Sequence, residues 1–211
     1  MTLEMKGENA PLSPPPKPLL FILSGLSGAG KDTVLAGLRS SGSSLEFIVT
    51  VTTRPRRHNE RDGVHYRFVS PDEFRKLVDR GELLEWAKVY GNWYGVPRGP
   101  VKKALEAGKD VIIKVDVQGA VTIKKLVPQA VFLFLAPPSL EELFRRLKAR
   151  RTESAAELEL RLKTAREELA KMPLFDYIVI NRQGETARAV ADIEAIITAE
   201  KCRVMPREMT L

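Results

Sequence analysis

The chain has 211 residues, 44% of them hydrophobic and 29% charged, enough for one domain with a substantial core and an inserted subdomain; no run is apolar for long enough to cross a membrane. Its single cysteine, Cys202, excludes an internal disulfide and fits a reducing cytoplasm, and two histidines, His58 and His65, leave too few ligands for a structural zinc site. The net charge of +7 is gathered in two compact clusters, Arg54 to Arg57 with Arg61 and Arg145 to Arg151, which suits clamps on small anions better than a long nucleic-acid stripe.

Residues 1–17 contain acids and four prolines, lack the apolar stretch of a signal peptide, and read as a disordered tail. An apolar strand at Leu19–Leu23 then runs into Gly25-Leu26-Ser27-Gly28-Ala29-Gly30-Lys31-Asp32-Thr33 and a helix reaching Leu38. Glycines there let backbone N–H groups turn inward onto an anion, the helix points its positive end at the same place, and Lys31 can reach the terminal phosphates of a nucleoside triphosphate. The plainer reading is a glycine-rich turn with a surface lysine; its place between a strand and a helix favours the phosphate loop. The position after the lysine, which usually supplies a hydroxyl to Mg²⁺, is Asp32. Thr33 is the obvious substitute, and the spacing leaves open which of the two faces the metal.

Further buried strands are expected at Phe47–Val51, Val111–Val115, Val131–Leu135 and Tyr177–Ile180, alternating with helices, which predicts an α/β fold with a parallel sheet covered on both faces. Three hydroxyl residues with Glu three positions on, Ser70/Glu73, Ser139/Glu142 and Ser154/Glu157, read as capping boxes. After Ser154, Leu158, Leu162, Ala165 and Leu169 share one helical face. Between Thr52 and Pro100 the strand-like pieces Val64–Val69 and Trp86–Tyr90 are short and rich in Arg, Tyr, Trp and Gly. That stretch looks like an insertion that builds a binding surface.

Several ordered motifs, GLSGAGKDT from Gly25, TVTTRPRR from Thr50, DGVHYRFVS from Asp62, LLEWAKVYGNWYGVP from Leu83, KVDVQGA from Lys114 and LFLAPPSLEELFRRLKARRTES from Phe132, make residues 18–200 resemble the guanylate kinases, P-loop enzymes that phosphorylate GMP. The resemblance implies a P-loop NTPase-type core (18–49, 101–138 and 173–211), a GMP-binding insertion (50–100) and a helical lid (139–172). ATP would be the phosphoryl donor and Mg²⁺ the cofactor, with no nucleic-acid or membrane partner; a monomer and a homodimer fit equally.

The same resemblance assigns roles. Glu85 would accept the adjacent N1–H and N2–H₂ donors of guanine, which adenine lacks, and Thr50 would donate to guanine O6. Arg54 and Arg57, planar forks suited to phosphate, would hold the GMP phosphate with the hydroxyls of Tyr66 and Tyr94. Lys31, Arg146, Arg150 and Arg161 would close over the triphosphate, with Arg150 and Asn181 at the adenine. Asp116 would support Mg²⁺ beside Thr33, while Arg56, Arg61, Arg145, Lys148 and Arg151 would face solvent. A second departure from the family pattern is Lys114, where an acid is usual. Two residues from Asp116 on a strand, it could pair with that acid or project toward the nucleotide. Two rival readings are an interaction module that has lost catalysis, disfavoured by the retained Lys31 and arginines, and a kinase of another phosphorylated molecule such as a ribose bisphosphate, which would not need Glu85, Thr50 and Tyr94.

Overall fold

The structure, a computed structural model, describes residues 16–58, 60–149 and 155–211. The expected sheet is present: β1 (Leu20–Gly25), β2 (Glu46–Ile48), β7 (Val111–Lys114), β8 (Val131–Ala136) and β9 (Tyr177–Ile180) pair in the order β2-β7-β1-β8-β9, all parallel. Along β1 every side chain is buried: Leu20 and Ile22 enter one hydrophobic cluster, Phe21 and Leu23 another on the opposite face. A parallel sheet covered on both sides requires such a continuous apolar run. Helices α1 (Lys31–Ser40) and α7 (Thr186–Lys201) contribute to the first-named strand's Phe21 face, through Val34, Leu38 and Ile193; α3 (Arg98–Glu106) and α4 (Val117–Leu126) cover the other through Val101 and Ile123.

The insertion forms its own four-stranded sheet, ordered β4-β3-β6-β5, from β3 (Val51–Thr52), β4 (Arg67–Phe68), β5 (Leu83–Val89) and β6 (Asn92–Pro97). The single strand expected at Phe47–Val51 is therefore two, in different sheets. Thr50 marks the crossing: its carbonyl accepts from Arg67 N–H at 2.9 Å, and its hydroxyl donates to the Lys114 carbonyl at 3.1 Å, tying the insertion to the end of β7. Of Val64–Val69 only Arg67–Phe68 is strand, whereas Trp86–Val89 belongs to a longer β5 and Tyr90 opens the turn after it. Its partner β6, not expected from the pattern, follows a two-residue turn in which Tyr90 and Gly91 both have positive φ (46° and 82°), the geometry that suits the twist of a hairpin.

Helix α2 (Pro71–Asp79) carries the full capping box: Glu73 N–H donates to Ser70 Oγ at 3.2 Å and Ser70 N–H to Glu73 Oε2 at 2.9 Å, with Pro71 opening the helix. At Ser139, before α5 (Leu140–Ala149), only half of it forms. Glu142 N–H donates to Ser139 Oγ at 3.1 Å, but the Glu142 carboxylate goes to Arg145 and Arg146, because charged partners outcompete a backbone N–H. Ser154 lies outside the described residues. In α6 (Ala155–Leu169), Ala165 lies in the core and Leu169 packs against it, while Leu162 is half-buried; the Leu158 side chain is outside the described set. Pro16 and Lys17, assigned to the tail, are exposed, and Lys17 hydrogen-bonds to Glu208 across the chain ends at the surface.

Candidate active site

The loop between β1 and α1 is built against neighbouring backbone. A Cβ at Gly25 (φ +128°) would stand 2.0 Å from the Leu135 carbonyl oxygen, and at Gly30 (φ +96°) 2.4 Å from Asn181 Nδ2. Only glycine allows this loop to lie so close to β8 and to the end of β9. Leu26 N–H donates to Leu135 O at 3.3 Å, and Ala29 O accepts from Asn181 Nδ2 at 2.8 Å. Lys31 curls back over the loop and donates to the Gly25 and Leu26 carbonyls at 2.7 and 3.1 Å. Burial lowers its ammonium below lysine's usual range, against the opposing pull of Glu168 and Asp32.

This loop is one wall of a cavity of about 230 Å³ lined also by Asp32, Thr33, Thr50, Arg54, Arg57, Tyr66, Glu85, Tyr94, Lys114, Asp116 and Arg161. Residues from both sheets and from α6 thus meet at the carboxyl end of β1 and β7, where ligands gather in open parallel sheets. Glu85 is 5% exposed, its Oε1 is buried without a hydrogen-bond partner, and burial, with the charge of Asp116, pushes its carboxyl up to about 8. It is not the solvated acid at a strand edge that it would be by default. An orphaned buried oxygen at the end of a cavity is a place for a ligand's donor.

The arginines and tyrosines of the insertion come together on one side of this cavity. Arg54 lies over the Tyr66 ring at 5.5 Å, Tyr66 meets Tyr94 edge-on at 5.9 Å, and Arg57 lines the same wall. Burial raises the Tyr66 hydroxyl above its ordinary pKa. One partner was not anticipated: Glu60 accepts from Arg54 at 2.6 Å and from Arg57 N–H at 2.8 Å. Burial alone would raise the Glu60 carboxyl, but the bond to Arg54 holds it below the usual carboxylate range. Arg56 and Arg61 are exposed, as read from the sequence.

A second unanticipated acid is Glu168 of α6, whose Oε2 accepts from Ser27 N–H at 3.4 Å; Arg161, two helical turns earlier, donates to Ser27 Oγ at 3.1 Å and stacks over Tyr90 at 5.0 Å. The seven-residue spacing of Arg161 and Glu168 places both on one helical face, so the signal was in the sequence. Burial raises the Glu168 carboxyl.

Several expected placements differ. The Thr50 hydroxyl spends its proton on the Lys114 carbonyl, so in this conformation it does not offer a donor to a base. Lys114 pairs with Asp32, not with Asp116, and its ammonium stands 3.9 Å above the Tyr66 ring. Asp116 caps α4, accepting from Gly119 N–H at 2.8 Å, and burial raises its carboxyl. Arg146 and Asn181 lie behind the loop in a second depression with Gly28, Gly30, Thr33 and Arg182. Arg146 donates to Glu142, to Asn181 O at 2.8 Å and to Ala29 O at 3.4 Å, bracing the loop from outside. The Asn181 amide is likewise spent on Ala29, leaving its buried Oδ1 without a partner. Arg145 and Lys148 are exposed as expected; Arg150 and Arg151 lie outside the described residues.

Among the described residues no cluster of three or more His, Cys, Asp or Glu could hold a metal by itself. The donor set does fit Mg²⁺, which keeps several waters and binds through one or two protein oxygens plus substrate phosphates; Thr33 and Asp116 both face the cavity. No helix among the described residues is long and apolar enough to cross a membrane.

Comparison with known proteins agrees with this geometry. Residues 17–200 match the family model described as guanylate kinase. A guanylate kinase of Caldanaerobacter subterraneus is 46% identical over 186 residues, 88% of this chain and 89% of that one. The chloroplastic/mitochondrial guanylate kinase 2 of Oryza sativa is 42% identical over 202 residues, 95% of this chain and 71% of the other. The crystal structure of guanylate kinase from Anaplasma phagocytophilum superimposes with a TM-score of 0.73 at 31% identity, covering 89% and 88% of the two chains.

Proposed function

The chain belongs to the guanylate kinase family, and from that premise we propose that it transfers the γ-phosphoryl group of ATP to GMP, giving ADP and GDP. The observation that carries the guanine assignment is the buried, unpartnered Oε1 of Glu85 in the same cavity as the Lys31 loop. A carboxylate there accepts two donors from guanine, whereas adenine's N1 would meet it with another lone pair.

The nucleophile is a phosphate oxygen of GMP, anionic at neutral pH, so no general base is required. What must be supplied is alignment of two mutually repelling anions and a field for the transferring group. Arg54, Arg57, Tyr66 and Tyr94 hold the acceptor phosphate within the 50–100 insertion. Lys31 leaves the Gly25 and Leu26 carbonyls for the donor's terminal phosphates, while Arg161, with Arg146 and Arg150 of the 139–172 lid, adds positive charge. The loop from Gly25 to Thr33 and the Asn181 wall form the donor site. Thr33 and Asp116 would hold Mg²⁺, which would supply positive charge against the phosphates. Lid closure excludes water as a competing acceptor. The lone, unpaired and exposed Cys202 suits a reducing cytoplasm, where the reaction would recycle GMP within purine metabolism.

A coupled ADP-release assay with Mg²⁺-ATP and GMP, dGMP, AMP, UMP or a ribose phosphate tests this reading. Rapid turnover with GMP and little with AMP is expected, and Lys31→Met should lower turnover by at least ~10³-fold in a protein that still melts cooperatively. A preference for another acceptor, or no turnover with any of them, would overturn it.

A further inference from the structure

We propose that Asp32 and Lys114 act as one positioning unit for the acceptor: Asp32, on the donor's phosphate loop, orients the Lys114 ammonium toward the phosphate of GMP. This rests on reading the cavity as the GMP site.

Lys114 ends β7 and is 8% exposed. Its ammonium is ion-paired with Asp32 in the first turn of α1 and stands 3.9 Å above the Tyr66 ring. The same ring carries the Arg54 guanidinium at 5.5 Å. Two cations therefore share one aromatic ring, each neutralised by an acid of its own, Asp32 for Lys114 and Glu60 for Arg54. Both line the cavity with Arg57 and Tyr94, so an anion bound there would meet two cations on one wall. The pairing is also unequal. The Lys114 side chain is nearly buried while that of Asp32 is 64% exposed, so the acid meets the ammonium from its solvent side, and an ammonium with three donors can take a further acceptor. A phosphate oxygen of GMP would be that further acceptor.

The loop has the converse need. An acid directly after Lys31 would repel a triphosphate, and Lys114 neutralises it. Asp32 and Lys114 are 82 positions apart, and each answers a charge that the other creates. Lys114 thus joins the acceptor clamp, and Asp32 links that clamp to the donor loop.

The test is GMP binding by titration calorimetry, without ATP or Mg²⁺, for Asp32→Asn, Lys114→Met and the double variant, with melting curves to report folding. One charge-assisted contact corresponds to about a tenfold loss of affinity in Lys114→Met. Asp32→Asn should weaken GMP about threefold although it lies on the donor loop, and the double variant should match Lys114→Met alone. Lys114→Arg should retain most of the affinity. Unchanged GMP binding in Asp32→Asn, or effects that multiply in the double variant, would overturn the proposal. If Lys114→Met does not fold, Asp32→Asn decides by itself, since its carboxylate is exposed. Failure of the unsubstituted protein to bind GMP would instead overturn the reading of the site, and this proposal with it.

Discussion

A Cβ at position 119 would stand 2.7 Å from Oε1 of Glu85. The acid at the end of the cavity therefore depends on the missing side chain of Gly119, whose N–H is held by Asp116 at 2.8 Å. Gly119→Ala should displace the Glu85 carboxylate and raise the KM for GMP at least tenfold, with the KM for ATP within about twofold. Initial-rate kinetics with each substrate varied would check it; an unchanged GMP KM would mean that Glu85 does not read the base.

Glu85 also predicts a pH dependence. Its carboxyl titrates at about 8 in the folded protein against 4.5 for an ordinary glutamate. The folded state keeps this proton where the unfolded chain has released it, so the stabilising contribution is fully present below pH 4.5 and is lost as pH rises through 8. Glu85→Gln should flatten the stability profile across that window in denaturant melts.

Guanine requires the ionised acid, so GMP uptake at pH 7 should release a proton. Calorimetric heats would then vary with the ionisation enthalpy of the buffer. They should cease to do so in Glu85→Gln, and buffer-independent heats in the parent protein would exclude a protonated Glu85.

Glu168 occupies a donor that a phosphate would use, accepting from Ser27 N–H at 3.4 Å. Glu168→Gln should lower the KM for ATP about threefold by removing a charge that competes with phosphate. A raised KM would show that the acid instead organises the loop.

The Arg54–Glu60 pair, with both side chains largely buried at 13% and 12% exposure, holds the arginine fork beside Tyr66. Arg54→Ala should raise the KM for GMP by about tenfold or more and leave that for ATP nearly unchanged, since one charge-assisted phosphate contact is worth roughly 1.5–3 kcal/mol. Equal GMP dependence in the two proteins would remove Arg54 from the clamp.

Much of the molecule was legible from local spacing. The strand, loop and helix around Lys31, the apolar runs of the parallel sheet, and the Ser70/Glu73 box depend on residues within a few positions of one another, where periodicity and capping chemistry act directly. Glu85, Arg54, Arg57 and Tyr66 were legible only through their resemblance to family motifs, and the fold gathers them in one cavity. The second sheet was seen in outline, but the division of one apolar run at Thr50 was not, because both halves look alike in sequence and only their partners differ.

Partner choice was decided by the tertiary structure. The Thr50 hydroxyl meets a carbonyl 64 positions away, Arg146 a carbonyl 117 away, and Lys114 an acid 82 away when another lies two residues off. A charged or hydroxyl group takes whichever counterpart the packed backbone brings within about 3 Å, and the distances between elements are set by how helices and sheets bury their apolar faces. Sequence spacing therefore named the chemistry available at the site. Packing chose which of those groups were already committed to each other and which remained for a ligand.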